Sequence, residues 1–237
     1  MNDIIITVDI DWVPDLILED TINLLSSSGI NATFFCTNAT DCDFGTHEQA
    51  IHPNFVSMDL ERHITDMLDL FPEAKGLRSH SLFFSERMRP ILSKKEIQYC
   101  SNAMLFEHPY LEPCMMAPTV LEFPLYFMDT FNLIMKGSSP TFANDLHKHS
   151  IEGMKVYDFH PIHIFMNTYS LKHYDSFKQF YQRPELLKQH VNVEQYGVRD
   201  YLTDLLKHIL VNRLSTTTLI DLCTKTRVIA DEGNNNR

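Results

Sequence analysis

The sequence predicts an α/β protein built on a parallel sheet, and three observations favour this fold class. Strand-like apolar runs alternate with amphipathic stretches along the first half of the chain, which is typical of strands joined by helical crossovers. The 237 residues fit one large α/β domain, since barrels of this class contain about 200–250 residues. The apolar share of 44% and the charged share of 22% are those of a globular protein. We therefore predict one domain over residues 1–230 and a disordered polar tail over residues 231–237.

The first elements follow from the local pattern. Residues 4–8 form a continuous β-branched run, which indicates a strand buried on both faces. Residues 14–28 are amphipathic and are followed by Gly29, a pattern that predicts a helix and its end. We predict a second strand over residues 32–36 and a second helix over residues 59–70.

The sequence pattern predicts four further elements in the rest of the chain. We predict a short strand over residues 76–78, a helix over 85–92, a strand over 154–159 and a long helix over 197–212 with one apolar face. Residues 105–150 show neither period clearly, so we expect loops and short strands there. No glycine-rich nucleotide-binding or phosphate-binding loop occurs, which argues against dinucleotide and P-loop chemistry.

Composition limits the partners and the compartment. The formal net charge is −11, so the chain has no basic excess with which to neutralise phosphates, and we expect no nucleic-acid partner. The longest apolar stretch, residues 117–135, contains Glu122, Pro124 and Asp129, and we expect no membrane span. Five cysteines form no C-x-x-C pair, and no basic leader opens the chain. These features predict free thiols and a cytoplasmic protein.

Polar side chains follow four predicted strands at their C-terminal ends. Because these ends converge on one face of a parallel barrel, where such folds place their sites, the residues are candidates for one site. The candidates are Asp9 and Asp11 after the first strand, His52 after residues 50–51, Arg78 and His80 at the end of the strand over residues 76–78, and His160 and His163 after residues 154–159.

Asp9 and Asp11 suggest a cation. Two carboxylates this close raise the pKa of one of them unless a positive charge is present. A divalent ion on one carboxylate, with the other left as a base, removes that conflict. The alternative for Asp11 is a cap on the helix that starts near Pro14.

The remaining candidates each have two interpretations. His52 is either a loop histidine or the nitrogen ligand of an Asp/His site that suits zinc. Arg78 is either a surface arginine or a group that orients Asp9. His160 and His163 are either a core and a loop histidine or a source of an imidazole that supplies a proton near pH 7.

Several motifs together resemble the NodB-type polysaccharide deacetylases, carbohydrate esterase family 4. The resemblance rests on residues 7–11 (TVDID), 32–35 (ATFF) and 47–52 (HEQAIH). Residues 52–55 (HPNF), 78–81 (RSHS) and 158–163 (DFHPIH) are similar to a subgroup often associated with cell-surface polysaccharide synthesis. The resemblance extends from about Ile4 to Leu222, nearly the whole chain.

This resemblance implies an irregular (β/α)7 barrel and a role for each matched residue. It implies that Asp9 is the general base, Asp11 and His52 are metal ligands, Arg78 orients the base, and His160 is the general acid. The chain departs from the family at Val56, where a second metal histidine is usual, and at His80, where a proline is usual. We infer that His80 supplies the missing ligand; His63 and water are the alternatives. Residues 101–103 match their family block poorly.

The resemblance implies a metal-dependent hydrolase that removes an N- or O-acetyl group from a sugar or saccharide precursor. The cofactor would be a divalent metal, with zinc favoured by the Asp/His ligand set. The alternative, favoured by Val56, is a catalytically degenerate carbohydrate-binding protein of the same fold. Hydrolysis of a non-sugar amide is a third interpretation, because fold does not fix substrate.

Overall fold

The computed structural model describes residues 3–146 and 152–235 and contains a curled, nine-stranded sheet flanked by helices. This half-barrel confirms the predicted α/β fold built on a parallel sheet. The strands are β1 (Ile4–Asp9), β2 (Thr33–Cys36), β3 (Glu48–Ile51), β4 (Gly76–Leu77), β5 (Tyr99–Cys100), β6 (Cys114–Ala117), β7 (Val120–Glu122), β8 (Leu125–Met128) and β9 (Lys155–Phe159).

The helices connect these strands and cover the sheet. They are α1 (Asp15–Ser28), α2 (Leu60–Leu70), α3 (Met88–Lys94), α4 (Asp129–Lys136), α5 (Phe142–Asp145), α6 (Pro161–Met166), α7 (Leu171–Phe177), α8 (Pro184–Leu187), α9 (Val198–Asn212) and α10 (Leu219–Asn235). None of the helices in the described ranges is both long enough and apolar enough to cross a membrane.

The sheet order places β1 between β2 and β9. The strands are arranged β6-β7-β5-β4-β3-β2-β1-β9-β8, and every pair is parallel except β6 with β7. Asp9 pairs with Phe35 in β2, and Val8 pairs with Phe159 in β9. The ends of these strands therefore lie at the same level. On the far side, the backbone N–H of Leu125 donates to the carbonyl of Ala103 at 2.8 Å, which draws β8 toward the end of β5.

Local sequence explains the best-predicted elements. All six residues of β1 are buried, as its β-branched run predicts. Helix α1 ends at Gly29, whose φ of 69° is a left-handed conformation that glycine adopts without strain. Helix α2 begins after Asp59, whose side chain accepts a hydrogen bond from the backbone N–H of Arg62 at 3.3 Å.

Other elements differ from the prediction. Helix α3 begins at Met88, three residues later than predicted, because the backbone N–H of Met88 closes a turn onto the carbonyl of Ser85. The stretch with no clear period contains β6, β7, β8 and the helices α4 and α5, which are only eight and four residues long. Helix α10 extends to Asn235 and so includes residues of the predicted tail; residues 236–237 lie outside the described ranges.

Candidate active site

The predicted site residues meet at the C-terminal ends of the parallel strands. They surround a cavity of about 120 Å³. Five of the six residues to which the sequence analysis assigns a role line it: Asp9, Asp11, His52, His80 and His160. The sixth, Arg78, is fully buried and contacts Asp9 from within the half-barrel.

Arg78 fixes Asp9 by a buried ion pair. Its guanidinium Nη1 donates to Asp9 Oδ1 at 2.8 Å, and both side chains are almost fully buried. Its Nε and Nη2 donate to the carbonyl and hydroxyl oxygens of Ser101 at 2.9 and 2.8 Å. The guanidinium also lies 4.1 Å from the ring centre of Phe35. This set of contacts leaves the arginine one orientation, and Asp9 is held with it.

Asp158 is a second buried carboxylate on the same guanidinium. Its Oδ1 accepts hydrogen bonds from Arg78 Nη1 and, at 2.8 Å, from the hydroxyl of Thr7. Burial, only partly offset by Arg78, raises the pKa of Asp158, and the neighbouring charge of Asp9 raises it further. The guanidinium therefore supplies the positive charge between two carboxylates. Sequence analysis missed Asp158 because it lies inside an apolar strand rather than after one.

Asp11, His52 and His80 form a compact group. Asp11 Oδ1 lies 3.3 Å from His52 Nε2 and 3.3 Å from His80 Nδ1. One possible ligand atom from each residue lies within 4.8 Å of the others. Burial raises the pKa of Asp11, but the close approach of the two histidines outweighs it and holds the pKa well below its usual range.

The atoms of this group suit a divalent cation. Asp11 Oδ1 is buried, and no hydrogen bond of acceptable geometry reaches it from any described residue. Two imidazole nitrogens nevertheless stand 3.3 Å away. One carboxylate oxygen and two imidazole nitrogens around a common point are a donor set that zinc accepts in open, catalytic-type sites. The buried, unsatisfied oxygen is explained if a cation binds there.

The parallel ladder explains why His80 reaches the group. The backbone N–H of Arg78 donates to the carbonyl of Ile51 at 3.1 Å, and that of His80 donates to Pro53 at 3.0 Å. The alternation of strand β4 thus continues past its end, so Arg78 and His80 face the same side. The other candidates lie elsewhere: His63 is on α2, 2.9 Å from the hydroxyl of Ser57, and Val56 is 78% exposed.

A strained turn carries Asp11 into the cavity. Asp11 and Trp12 have φ values of 42° and 56°, and a tryptophan in this region is rare. The turn is held from outside, because Tyr181 Oη donates to the Asp11 carbonyl at 2.7 Å and Gln182 Nε2 donates to the Trp12 carbonyl at 2.8 Å. The backbone N–H of Trp12 donates to the hydroxyl of Thr37 at 3.0 Å. Such strain persists where surrounding structure enforces it, commonly at functional sites.

His160 is oriented by Asp129, which sequence analysis also missed. Asp129 accepts from the backbone N–H of His160 at 2.8 Å through Oδ2 and lies 2.6 Å from His160 Nδ1 through Oδ1. His160 Nε2 is left facing Asp11 Oδ2 at 3.6 Å. Burial lowers the pKa of His160, but the Asp129 carboxylate outweighs it and raises the pKa well above its ordinary value.

The local sequence explains this pairing. Pro161 starts α6 directly after β9, so His160 stands at the strand end. Asp129 follows the buried strand β8, as Asp9 ends β1, and the rule that selected Asp9 would have found it had β8 been recognised. His163 lies about one turn after His160, in α6. It is buried, and its Nδ1 is 3.1 Å from the hydroxyl oxygen of Thr168. It lies outside the cavity lining.

The family follows from the sequence match. The profile of the WbmS-like polysaccharide deacetylases matches residues 6–178. The chain belongs to this family. The matched region contains every residue of the candidate site, from Asp9 to His160, and this membership confirms the resemblance to the NodB-type deacetylases. No curated protein matches the chain.

Solved structures agree with the family. The chain is similar to WbmS from Bordetella bronchiseptica, whose structure is described as that of a polysaccharide deacetylase assigned to O-antigen biosynthesis. The identity is 26% and the TM-score 0.77, over 87% of this chain and 90% of that one.

Two more distant structures concern the fold alone. The peptidoglycan N-acetylglucosamine deacetylase Bc1960 has a TM-score of 0.52 at 13% identity, over 92% of this chain and 86% of that one. The pseudoenzyme BA3943 of the CE4 family, from Bacillus anthracis, has a TM-score of 0.51 at 10% identity, over 94% of this chain and 66% of that one.

Proposed function

We propose that this WbmS-like chain is a divalent-metal-dependent hydrolase that removes an N- or O-acetyl group from a saccharide. One observation carries the proposal: the possible metal ligands Asp11, His52 and His80 border the same small cavity as a buried carboxylate, Asp9, and an imidazole, His160. Metal-assisted hydrolysis of an acetyl group uses these three functions together.

The metal would be held by Asp11 Oδ1, His52 Nε2 and His80 Nδ1. These are one oxygen and two nitrogen donors, and this composition favours zinc. A divalent ion at this position supplies Lewis-acid chemistry, which polarises a carbonyl group and makes water acidic.

Asp9 is the proposed general base. The guanidinium of Arg78 takes Oδ1, and Oδ2 remains on the side of His52, 3.7 Å from its Nε2. Oδ2 is therefore the atom that accepts a proton from the attacking water. The ion pair with Arg78 fixes the Asp9 carboxylate in one orientation, which a base requires.

His160 is the proposed general acid. Its Nδ1 is engaged by Asp129, so the proton available to a substrate is on Nε2, which faces the cavity. The raised pKa of His160 keeps that proton in place at neutral pH. When the tetrahedral species collapses, Nε2 donates the proton to the departing amine or alkoxide.

The family supports an acetylated carbohydrate as substrate. The WbmS structure is assigned to O-antigen biosynthesis, and this description favours a precursor of a cell-surface polysaccharide for the present chain. All five cysteines are free thiols, which supports the further proposal of a reducing, cytoplasmic compartment. His80 Nδ1 lies 3.3 Å from Asp11 Oδ1 and can supply the third ligand that Val56 cannot, which supports an enzyme over a carbohydrate-binding relative.

Acetate release tests the proposal. Purified chain, loaded with zinc, is incubated with a panel of acetylated sugar nucleotides, monosaccharides and oligosaccharides. We expect release from at least one of them, and we expect Asp9→Asn to reduce the rate by about 10²–10⁴-fold, the size of an acid–base contribution. A wild-type chain that binds zinc and releases no acetate from any of these compounds would contradict the proposal.

A further inference from the structure

The turn that carries Asp11 has an unusual residue at its second central position. Its central residues, Asp11 and Trp12, both have a positive φ, a combination that turns usually fill with glycine, asparagine or aspartate. The backbone N–H of Val13 closes the turn onto the carbonyl of Ile10 at 3.0 Å. This local hydrogen bond does not by itself explain why a tryptophan keeps a conformation that bulky residues rarely adopt.

Both central carbonyl groups of the turn accept hydrogen bonds from side chains far along the sequence. Tyr181 Oη donates to the Asp11 carbonyl at 2.7 Å, and Gln182 Nε2 donates to the Trp12 carbonyl at 2.8 Å. The two donors are adjacent, so one short segment holds both peptide groups, and Tyr181 and Gln182 together form a clamp on the turn. Because the clamp fixes the direction of both carbonyls, it favours the strained conformation.

The clamp acts on two of the three proposed metal ligands. Asp11 belongs to the turn itself. The indole ring of Trp12 meets the imidazole of His80 edge to face, with the ring centres 5.1 Å apart. A turn that relaxed would move the Asp11 carboxylate and withdraw the ring that packs on His80. Contacts that orient metal ligands in this way help to set the affinity for the ion.

The segment that carries the clamp is anchored on both sides. The backbone N–H of Tyr181 donates to the carbonyl of Lys178 at 3.1 Å. Before the clamp, Tyr174 of α7 packs on His163 of α6, with the ring centres 4.7 Å apart. After it, Leu187 of α8 is fully buried in the core. The clamp is therefore fixed independently of the turn, and loss of one of its hydrogen bonds would free the turn.

We propose that Tyr181 and Gln182 are positioning residues of the metal centre, which hold the turn of Asp11 and Trp12 in the conformation that binds the ion. The match to the family covers residues 6–178, so both residues lie beyond it. The inference rests on the proposed function, because it concerns the metal that the hydrolase would use. It extends the metal centre from its three ligands to a segment of the chain 170 residues after Asp11.

Two variants that remove only the donors test the clamp. Tyr181→Phe removes the hydroxyl, and Gln182→Met removes the amide and keeps a side chain of similar length. One matched control is Tyr196→Phe, which removes a hydroxyl that donates to Asp204 at 2.9 Å, outside the lining of the cavity. The other is Gln189→Met, at an exposed position.

The first readout is the affinity for zinc, measured by competition with a chromophoric chelator. We expect Tyr181→Phe to weaken zinc binding about tenfold or more, the effect of replacing a residue that orients a metal ligand. Gln182→Met should weaken it less, because its hydrogen bond is exposed to solvent. Both controls should bind zinc as tightly as the wild type.

The fluorescence of Trp12 is a second readout, which reports on the turn directly. Trp12 is the one tryptophan of the sequence, and it is 38% exposed. Once its carbonyl is released, the indole ring should become more exposed. We therefore expect the emission of zinc-free Gln182→Met to shift to longer wavelength, and that of Gln189→Met to stay at the wavelength of the wild type.

The outcomes separate the clamp from the proposed function. Zinc affinities of both clamp variants equal to that of the wild type would overturn the clamp. A wild-type chain that binds no zinc would overturn the metal centre and the clamp together. If the clamp variants bind zinc more weakly but the wild type releases no acetate, the proposed hydrolase fails and the clamp stands.

Discussion

At the scale of single residues, the proton on His160 depends on Asp129. The carboxylate lies 2.6 Å from Nδ1 and is fully buried, so no solvent screens the interaction. Asp129 is therefore a positioning residue that also sets the pKa of the proposed acid. The His160 imidazole must be protonated to act, so activity is lost as the pH rises through its raised pKa.

Asp129→Asn tests this dependence. The amide retains a hydrogen-bond partner for His160 but removes the negative charge, so the pKa of His160 falls. We expect the alkaline limb of the pH profile of kcat/KM to move to lower pH, together with a loss of rate at neutral pH. An alkaline limb at the same pH in the variant and the wild type would show that Asp129 does not hold the proton of the acid.

Arg78 is the second residue on which the site depends. Its guanidinium is fully buried and contacts the carboxyl groups of both Asp9 and Asp158. Removing one partner of a buried ion pair leaves an uncompensated charge, which costs about 3–5 kcal/mol. We expect Arg78→Met to lower the free energy of unfolding in urea by that amount.

An exposed arginine provides the control for this measurement. Arg62 pairs with Asp66 at 3.6 Å on the surface of α2, and Arg62→Met should change the free energy of unfolding by less than about 1 kcal/mol. Adding Asp9→Asn to Arg78→Met should recover part of the loss, because the carboxylate left without its cation is then replaced by a neutral amide. Equal losses for the two single variants would contradict the role of the buried pair.

At the scale of elements, helix α6 contributes an acid-sensitive residue. Burial lowers the pKa of His163 from 6.5 to about 4, so the ring is neutral in the folded chain. Between pH 6.5 and about pH 4, His163 carries a proton in the unfolded chain but not in the folded chain. Stability from this residue is therefore complete above about pH 6.5 and is lost as the pH falls toward 4.

His163→Asn removes the titration. Asparagine keeps a polar atom near Thr168 but binds no proton. Between pH 6.5 and 4.5, we expect the slope of the unfolding free energy against pH to be smaller in the variant. The decrease is at most the contribution of one bound proton, about 1.4 kcal/mol per pH unit. Urea unfolding at several pH values measures the slope, and an unchanged slope in the variant would refute a neutral, buried His163.

The elements also show what local pattern can predict. Strands β1 and β9 and helix α9 were predicted because each is a longer run whose period is set by burial on one or both faces. Short elements escape this rule. Helix α6 has six residues, and β8 has four, so neither gives a readable period, and Asp129 at the end of β8 was missed with it.

At the scale of the whole molecule, the site is a product of sheet order. Asp9, His52, His80 and His160 come from β1 and from the extensions of β3, β4 and β9, which are spread along the sequence but lie within five consecutive strands of the sheet. The expectation that strand ends converge was sufficient to group them. The detailed partners of Arg78 in β1, β9 and the segment after β5 depend on the curl that brings these strands around one interior. Strand pattern alone contains no information on that curl.

The central claim is that Asp11, His52 and His80 form the metal centre of a deacetylase. The most direct test is the zinc content of the purified chain after loading and dialysis, measured by mass spectrometry for the wild type and for His52→Ala, His80→Ala and His63→Ala. We predict one zinc per chain in the wild type and in His63→Ala, and substoichiometric zinc in the other two, since two remaining ligands hold zinc poorly. A wild-type chain without zinc, or a His80→Ala chain that retains one equivalent, would contradict the account.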